Sequence, residues 1–207
     1  MPAIHLIDDD PSFNRAVARL LTVAGFGVKK FTSAAGFLAQ HRDESRGCVL
    51  VDLRMPEMSG IELQAALAKT PNPLPVIFLT GHGDIPTSVQ AIKSGAEDFL
   101  TKPVQKEPLL AAVQRALVRD EKMVARRERQ RDLRQRFASL TPREAEVLVH
   151  VIAGKLNKET AGALDTTERT IKAHRASIME KMQAGSPAEL GRMAQELGLR
   201  AAAAAAE

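Results

Sequence analysis

Tryptophan and tyrosine are absent from this 207-residue chain, and seven phenylalanines are its only aromatic residues. That weakens any reading based on base stacking, carbohydrate platforms or aromatic cages. A single cysteine, Cys48, excludes an internal disulfide framework and a cysteine-based zinc site. It heads an apolar run, where a buried, inert thiol is expected. No stretch approaches the roughly 18 consecutive apolar residues of a membrane span. The opening Met1-Pro2-Ala3-Ile4-His5 soon meets three aspartates, so a signal peptide is not expected and a cytoplasmic protein is. A large charge imbalance is missing too, since the net charge is +4.

What is present is globular composition, 44% hydrophobic and 26% charged, in a length that suits one large domain or two modest ones. The basic excess is local. Residues 1–117 hold 12 basic and 12 acidic side chains, 118–136 hold 8 and 4, and 137–207 hold 9 and 9. The middle segment is therefore a candidate boundary. It reads as a solvated charged helix or a polyanion contact.

Ahead of it, short apolar runs alternate with helical periodicity. Ile4–Ile7, Gly27–Phe31, Val49–Val51, Val76–Leu79 and Asp98–Leu100 read as strands. Helices are predicted over Phe13–Ala24, after Ser33, after Ser59-Gly60, around Val89, Ala91 and Ile92, and from Leu109 to Leu117. Five strand–helix units with continuous apolar strands predict a parallel sheet covered on both faces.

The strand ends carry the chemistry. Asp8-Asp9-Asp10 follows the first strand, Asp52 ends the third, Thr80 the fourth, and Lys102 follows the fifth. Asp52 alone is equally a turn-capping acid, and Asp10 suits capping of the following helix. Several carboxylates at one rim repel each other and favour a divalent cation, and oxygen-only ligands suit Mg²⁺. A hydroxyl and an ammonium are suitable neighbours for phosphoryl oxygens. A carboxylate can itself be phosphorylated as a nucleophile.

These motifs (Asp8-Asp9, Asp52 in DLRMPEMSG, Thr80 in LTGHGD, and Lys102-Pro103) make residues 1–117 resemble the receiver domain of bacterial two-component response regulators. The resemblance implies that Asp52 accepts a phosphoryl group. It implies that Asp8, Asp9, Asp52 and the backbone carbonyl of Arg54 hold Mg²⁺ or Mn²⁺, and that Thr80 and Lys102 bind phosphoryl oxygens. It makes Phe99 the switch aromatic, Arg54 and His82 gates on water access, and the Lys102-Pro103 peptide cis.

Residues 118–136 lack glycine and proline and are rich in helix formers, so a helical basic linker is expected. Its apolar positions are sparse: Leu117 and Val124, then Leu133, Phe137 and Leu140. That does not support a long coiled coil. From 137 to 200 four helices are predicted. Thr141-Pro142-Arg143-Glu144 is a capping box, Asn157 and Thr167 are candidate caps, and Ser186-Pro187 opens the last helix. Two helices joined by a tight turn fit a helix-turn-helix, though plain bundles contain such pairs too.

LTPREAEVL and NKETAGALDTTERTIKAHRASIMEKM resemble the LuxR-type DNA-binding domain of the NarL/FixJ regulators, and the whole chain is similar to the FixJ subgroup. By position the resemblance implies that Lys172, Ala173 and Ala176 face base edges. Asn157, Lys158, Thr167, Arg169, Thr170, Arg175 and Lys181 would contact phosphates. Ala201 to Ala206 is a low-complexity tail. The fold expected is an α/β five-stranded doubly wound receiver, a helical linker and an all-α four-helix DNA-binding domain. The function expected is phosphorylation-dependent transcriptional regulation, commonly activation, rather than enzymatic turnover. The partners implied are a sensor histidine kinase, promoter DNA, RNA polymerase and a second copy of the chain after phosphorylation, with no membrane. The rivals are an aspartate-nucleophile phosphatase and an adaptor or RNA-binding output. Arg54 argues against the phosphatase, because such enzymes place an acid two residues after the nucleophile.

Overall fold

The structure, a computed structural model, describes residues 2–42, 44–81 and 95–199. His82, the helix expected around Val89, Ala91 and Ile92, and the Ala201–Ala206 tail lie outside the described residues. Chain packing separates two compact units, Met1–Val124 and Ala125–Glu207.

In the first unit, β1 (Ala3–Ile7), β2 (Val28–Phe31), β3 (Gly47–Asp52), β4 (Val76–Thr80) and β5 (Asp98–Thr101) form one parallel sheet in the order β2-β1-β3-β4-β5. Helices α1 (Pro11–Val23), α2 (Ala34–Gln40) and α3 (Gly60–Leu67) leave β1, β2 and β3, and α4 (Lys106–Ala138) leaves β5. One face of the sheet packs Val17 and Leu21 of α1 with Leu109, Val113 and Ala116 of α4. The other packs Phe37 of α2 with Leu63 and Leu67 of α3. Covered on both sides, β3 and β4 tolerate apolar residues at every position, hence the unbroken runs in the sequence. Cys48 is fully buried in β3, and burial pushes its thiol up to about 12.

Local chemistry sets the helix starts. Asp10 caps α1 by accepting from the N–H groups of Ser12 and Phe13, and Ser33 caps α2 through the N–H of Gly36. Ser59 and Glu62 form a reciprocal capping box at α3.

The amino end of β3 needs a particular residue. Gly47 has φ +122°, and a β-carbon there would lie 1.9 Å from the carbonyl oxygen of Ala3. Its N–H donates to Asp120 Oδ2 at 3.1 Å, and Arg46 Nε donates to the same oxygen at 3.0 Å. Asp120 is 1% exposed and stands on α4. The sequence reading had counted it only as one acid in a basic segment.

In the second unit, α5 (Pro142–Ile152), α6 (Asn157–Ala163), α7 (Glu168–Met182) and α8 (Pro187–Glu196) surround Val147, Leu148, Ile171, Ile178, Met182, Leu190 and Met193. The last turns of α4 join this core through Leu133, with Phe137 and the following Leu140 packed against it. These are the apolar positions that looked sparse in the linker. Thr141 and Glu144 form the expected box at α5, and Thr167 and Ser186 cap α7 and α8. The expectation for Asn157 needs correcting: it is the first helical residue, and Leu156 holds the cap position. The Glu159 carboxylate accepts from the Leu156 N–H at 2.7 Å, and no side chain at the cap position accepts from the first turn.

His5 is buried in β1, in register with Lys29 of β2 and beside the rings of Phe31 and Phe37. Burial, then the charges of Lys29 and His41, push its pKa from 6.5 down to about 4, against a smaller upward pull from the Arg46 backbone. A neutral imidazole inside the fold, protonatable once unfolded, stabilises fully above pH 6.5. That contribution declines below pH 6.5 and is gone by about pH 4. Denaturant titrations should therefore show His5→Leu flattening the pH dependence across this window by on the order of 2–3 kcal/mol relative to the parent chain.

Candidate functional site

The strand order reverses between β1 and β3, and in open parallel sheets the crevice at such a point, outside the carboxyl ends, is where ligands bind. Here that crevice is acidic. Asp8 follows β1 and is fully buried, Asp9 is exposed, and Asp52 ends β3 with its side chain 14% exposed. One oxygen from each of the three lies within 4.8 Å of the others. Lys102, just past β5, reaches across the crevice. Its Nζ stands 2.6 Å from Asp8 Oδ2 and 2.8 Å from Asp52 Oδ2. The backbone joins in, since Asp10 N–H donates to Asp8 Oδ1 at 3.0 Å and Arg54 N–H to Asp52 Oδ1 at 3.3 Å.

Burial pushes the Asp8 carboxyl above its ordinary value, more than Lys102 and the Asp10 N–H pull it down, and the Asp52 charge adds to the rise. Burial alone would lower Lys102, but its hydrogen bonds to Asp52 and Asp8 outweigh that and raise it. Three carboxylates share this partly dehydrated crevice with one ammonium. All-oxygen donors in that arrangement fit a hard divalent cation such as Mg²⁺.

Thr80 ends β4 and is 3% exposed, and its carbonyl accepts from the Lys102 N–H at 2.6 Å. Phe99 lies half-buried on β5, paired in register with Phe78, with ring centroids 6.4 Å apart. The Lys102-Pro103 peptide is cis. Arg54 is exposed on the loop after β3. Gly60 begins α3 where a β-carbon would meet the Asp52 carbonyl oxygen at 2.6 Å, so the absence of a side chain lets α3 start against the acidic strand end.

Two contributors escaped the sequence reading. Asn14, buried on α1, donates from Nδ2 to the carbonyls of Asp8 (3.2 Å) and Phe31 (2.9 Å), tying the acidic loop to the end of β2. Its signal was a polar residue at a core-facing helical position. The other is Phe13, whose ring centroid lies 4.1 Å from Lys102 Nζ. It had been read only as part of the apolar stripe.

In the second unit, α6 and α7 are joined by a turn in which Asp165 takes φ +48°, a conformation that aspartate tolerates better than most residues. Ile171, Ile178 and Met182 bury one side of α7. Arg169, Lys172, Ala173 and Ala176 are exposed, and their spacing places them together on the opposite side. Thr167 and Thr170 stand at the start of α7, their hydroxyls 2.9 Å apart. Lys158 is exposed and Asn157 half-buried at the start of α6. Two of the basic candidates also have partners inside the unit. Arg175 donates to the Lys155 carbonyl at 3.2 Å, and Lys181 Nζ lies 2.6 Å from Glu144 Oε2.

Glu144 also accepts from Ser177 Oγ at 2.6 Å and from the Thr141 N–H at 2.7 Å. Lys181, then Ser177 and the Thr141 N–H, hold its carboxyl down at about 2.

Comparison with known proteins agrees with this architecture. Residues 4–114 match the response regulator receiver domain, and residues 138–194 match the bacterial regulatory proteins of the luxR family. The tetrathionate response regulatory protein TtrR of Salmonella typhimurium is 46% identical over 197 residues, spanning 95% of this chain and 94% of that protein. The transcriptional regulatory protein FixJ of Bradyrhizobium diazoefficiens is 42% identical over 196 residues, spanning 95% of this chain and 96% of its own length. Among solved structures, the response regulator StyR superposes with a TM-score of 0.83 at 43% identity, covering 94% of this chain and 98% of that one.

The Glu144 carboxylate stabilises the second unit fully above pH 4.5, and its contribution is lost as pH falls towards about 2. Glu144→Gln should therefore lower the melting temperature of this unit by several degrees near neutral pH. Its melting curve should approach that of the parent as the pH is lowered through that range.

Proposed function

The chain belongs to the NarL/FixJ family of two-component response regulators, and on that premise we propose that Asp52 is the residue through which it is switched. The protein is a phosphorylation-dependent, DNA-binding transcription regulator rather than a classical enzyme, and its domains imply a histidine kinase partner. The observation that carries the Asp52 reading is the bridge of Lys102 to Asp8 and Asp52 at 2.6 and 2.8 Å beside Asp9.

An Asp52 oxygen attacks the phosphorus of a phosphohistidine on the kinase. The P–N bond breaks, the kinase imidazole leaves, and an acyl phosphate forms. Lys102 keeps its ammonium beside the reacting carboxylate and pairs with a phosphoryl oxygen, and Thr80 supplies a hydroxyl to another. Asp8, Asp9, Asp52 and the Arg54 carbonyl are the residues to hold Mg²⁺ or Mn²⁺, which when bound would neutralise charge on the phosphoryl oxygens. Movement of Thr80 towards the phosphoryl group frees room for Phe99 to turn inwards, changing the surface beside β5.

In this reading residues 1–117 receive the signal, 118–136 form the basic helical linker and 137–200 read DNA. The phosphorylated chain pairs with a second copy in the cytoplasm, binds two half-sites in promoter DNA, and activates transcription through RNA polymerase. Lys172, Ala173 and Ala176 meet base edges. Asn157, Lys158, Thr167, Arg169 and Thr170 approach phosphates, while Arg175 and Lys181 reach them only by exchanging their present partners.

Asp52→Asn should abolish labelling by acetyl phosphate, and stoichiometric labelling of that variant would remove Asp52 as acceptor. Lys172→Ala should reduce the preference for operator over random DNA by roughly 1–3 kcal/mol in quantitative footprinting. An unchanged footprint would take Lys172 out of the base-reading set.

A further inference from the structure

We propose that Phe13 is a positioning residue for phosphoryl transfer, acting as an aromatic seat for the ammonium of Lys102. This rests on the reading of Lys102 as the phosphoryl-binding cation. The ring centroid lies 4.1 Å from Lys102 Nζ, within the range where a cation is attracted to the negative face of an aromatic ring. Lys102 is partly dehydrated, with its side chain 17% exposed, which strengthens such an attraction over that of a surface pair.

Two features hold the ring in place. Asp10 caps α1 by accepting from the Phe13 N–H at 3.3 Å and the Ser12 N–H at 2.8 Å, so the third aspartate of the acidic run fixes the turn that carries the ring. Ala16, Val17, Leu20, Pro103, Val104 and Leu109 line the same apolar groove as the ring and the Lys102 stem. The three consecutive aspartates thus divide their work. Asp8 and Asp9 face the acidic crevice, and Asp10 sets the residue that seats the lysine.

The ring matters because chemistry consumes the other contacts of Lys102. The described hydrogen-bond partners of its ammonium are Asp8 and Asp52. Asp52 becomes an acyl phosphate, and Asp8 is a candidate metal ligand. An aromatic face has no charge to be neutralised and no oxygen to be modified. It keeps the ammonium in reach of the phosphoryl oxygens while both carboxylates change partners. A contact that persists while the others change holds the ammonium oriented towards the place where charge develops on the phosphoryl oxygens.

The test is a double-variant cycle on the full chain, following the rate of labelling by acetyl phosphate in Mg²⁺, with Lys102 side-chain NMR as a second readout. Phe13→Leu preserves apolar packing and should slow labelling about fivefold. Phe13→Tyr should restore the rate, because it restores the ring. Phe13→Leu should cause no further loss in a Lys102→Met background. In unphosphorylated protein, the Lys102 Hε resonances should carry an upfield ring-current shift that Phe13→Leu removes and Phe13→Tyr retains. Equal slowing by the Leu and Tyr variants, a full additional loss in the Lys102→Met background, or Hε shifts indifferent to the ring would each overturn the proposal. Failure of the acceptor assignment would look different. Labelling would then survive Asp52→Asn, while the ring-current shift would be unaffected by which residue accepts phosphate.

Discussion

Lys102 closes a crevice that the sheet cannot help creating. A parallel sheet brings the carboxyl ends of its strands to one rim, and the reversal of strand order between β1 and β3 sets Asp8 and Asp52 beside each other there. Left alone, two such carboxylates at a partly dehydrated site would repel each other. The ammonium from beyond β5 joins them, tying the end of β5 to those of β1 and β3 across the intervening β4. Asp9 adds a third carboxylate beside the pair, and the cluster is compatible with a divalent cation.

β3 is held at both ends by charged side chains from later in the chain. At its carboxyl end Lys102 grips Asp52, and at its amino end Asp120 takes the N–H of Gly47. Between them lie the fully buried Cys48, Val49, Leu50 and Val51. A one-residue slip of this strand would break both polar contacts and turn its side chains to the opposite face, so register is specified by the ends as well as by the core. The requirement for glycine at 47 belongs to the same design, since any side chain there would collide with the Ala3 carbonyl.

Much of this was legible in the sequence because it is local. Strands buried on both faces announce themselves as unbroken apolar runs, and caps such as Ser33, Ser59, Thr141, Thr167 and Ser186 lie next to the helices they start. The acidic crevice was legible for a related reason, since each member follows a recognisable strand. Contacts between remote positions leave no such trace. Asp120 and Gly47 are 73 residues apart, and nothing near either announces the other. Phe13 falls on an apolar helical stripe whether or not an ammonium sits beneath its ring. The Leu133, Phe137 and Leu140 spacing is visible in the sequence, but it sustains no heptad after Leu117 and Val124, and nothing local shows that the three close the C-terminal core. The fit of Glu144 to Lys181 was equally hidden, because a basic residue on a recognition helix looks the same whether it is free or engaged.

The exposed alanines of α7 bear on how such regulators diverge. Ala173 and Ala176 lie on the side opposite Ile171, Ile178 and Met182, and none of the hydrogen bonds or ion pairs described involves their side chains. Substitutions there leave the hydrophobic core and the capping contacts intact. Were this face to read base edges as proposed, a duplicated copy of the gene would need only a few changes on it to acquire new promoters. Asp52 belongs to one compact unit and this helical face to the other, each with its own hydrophobic core.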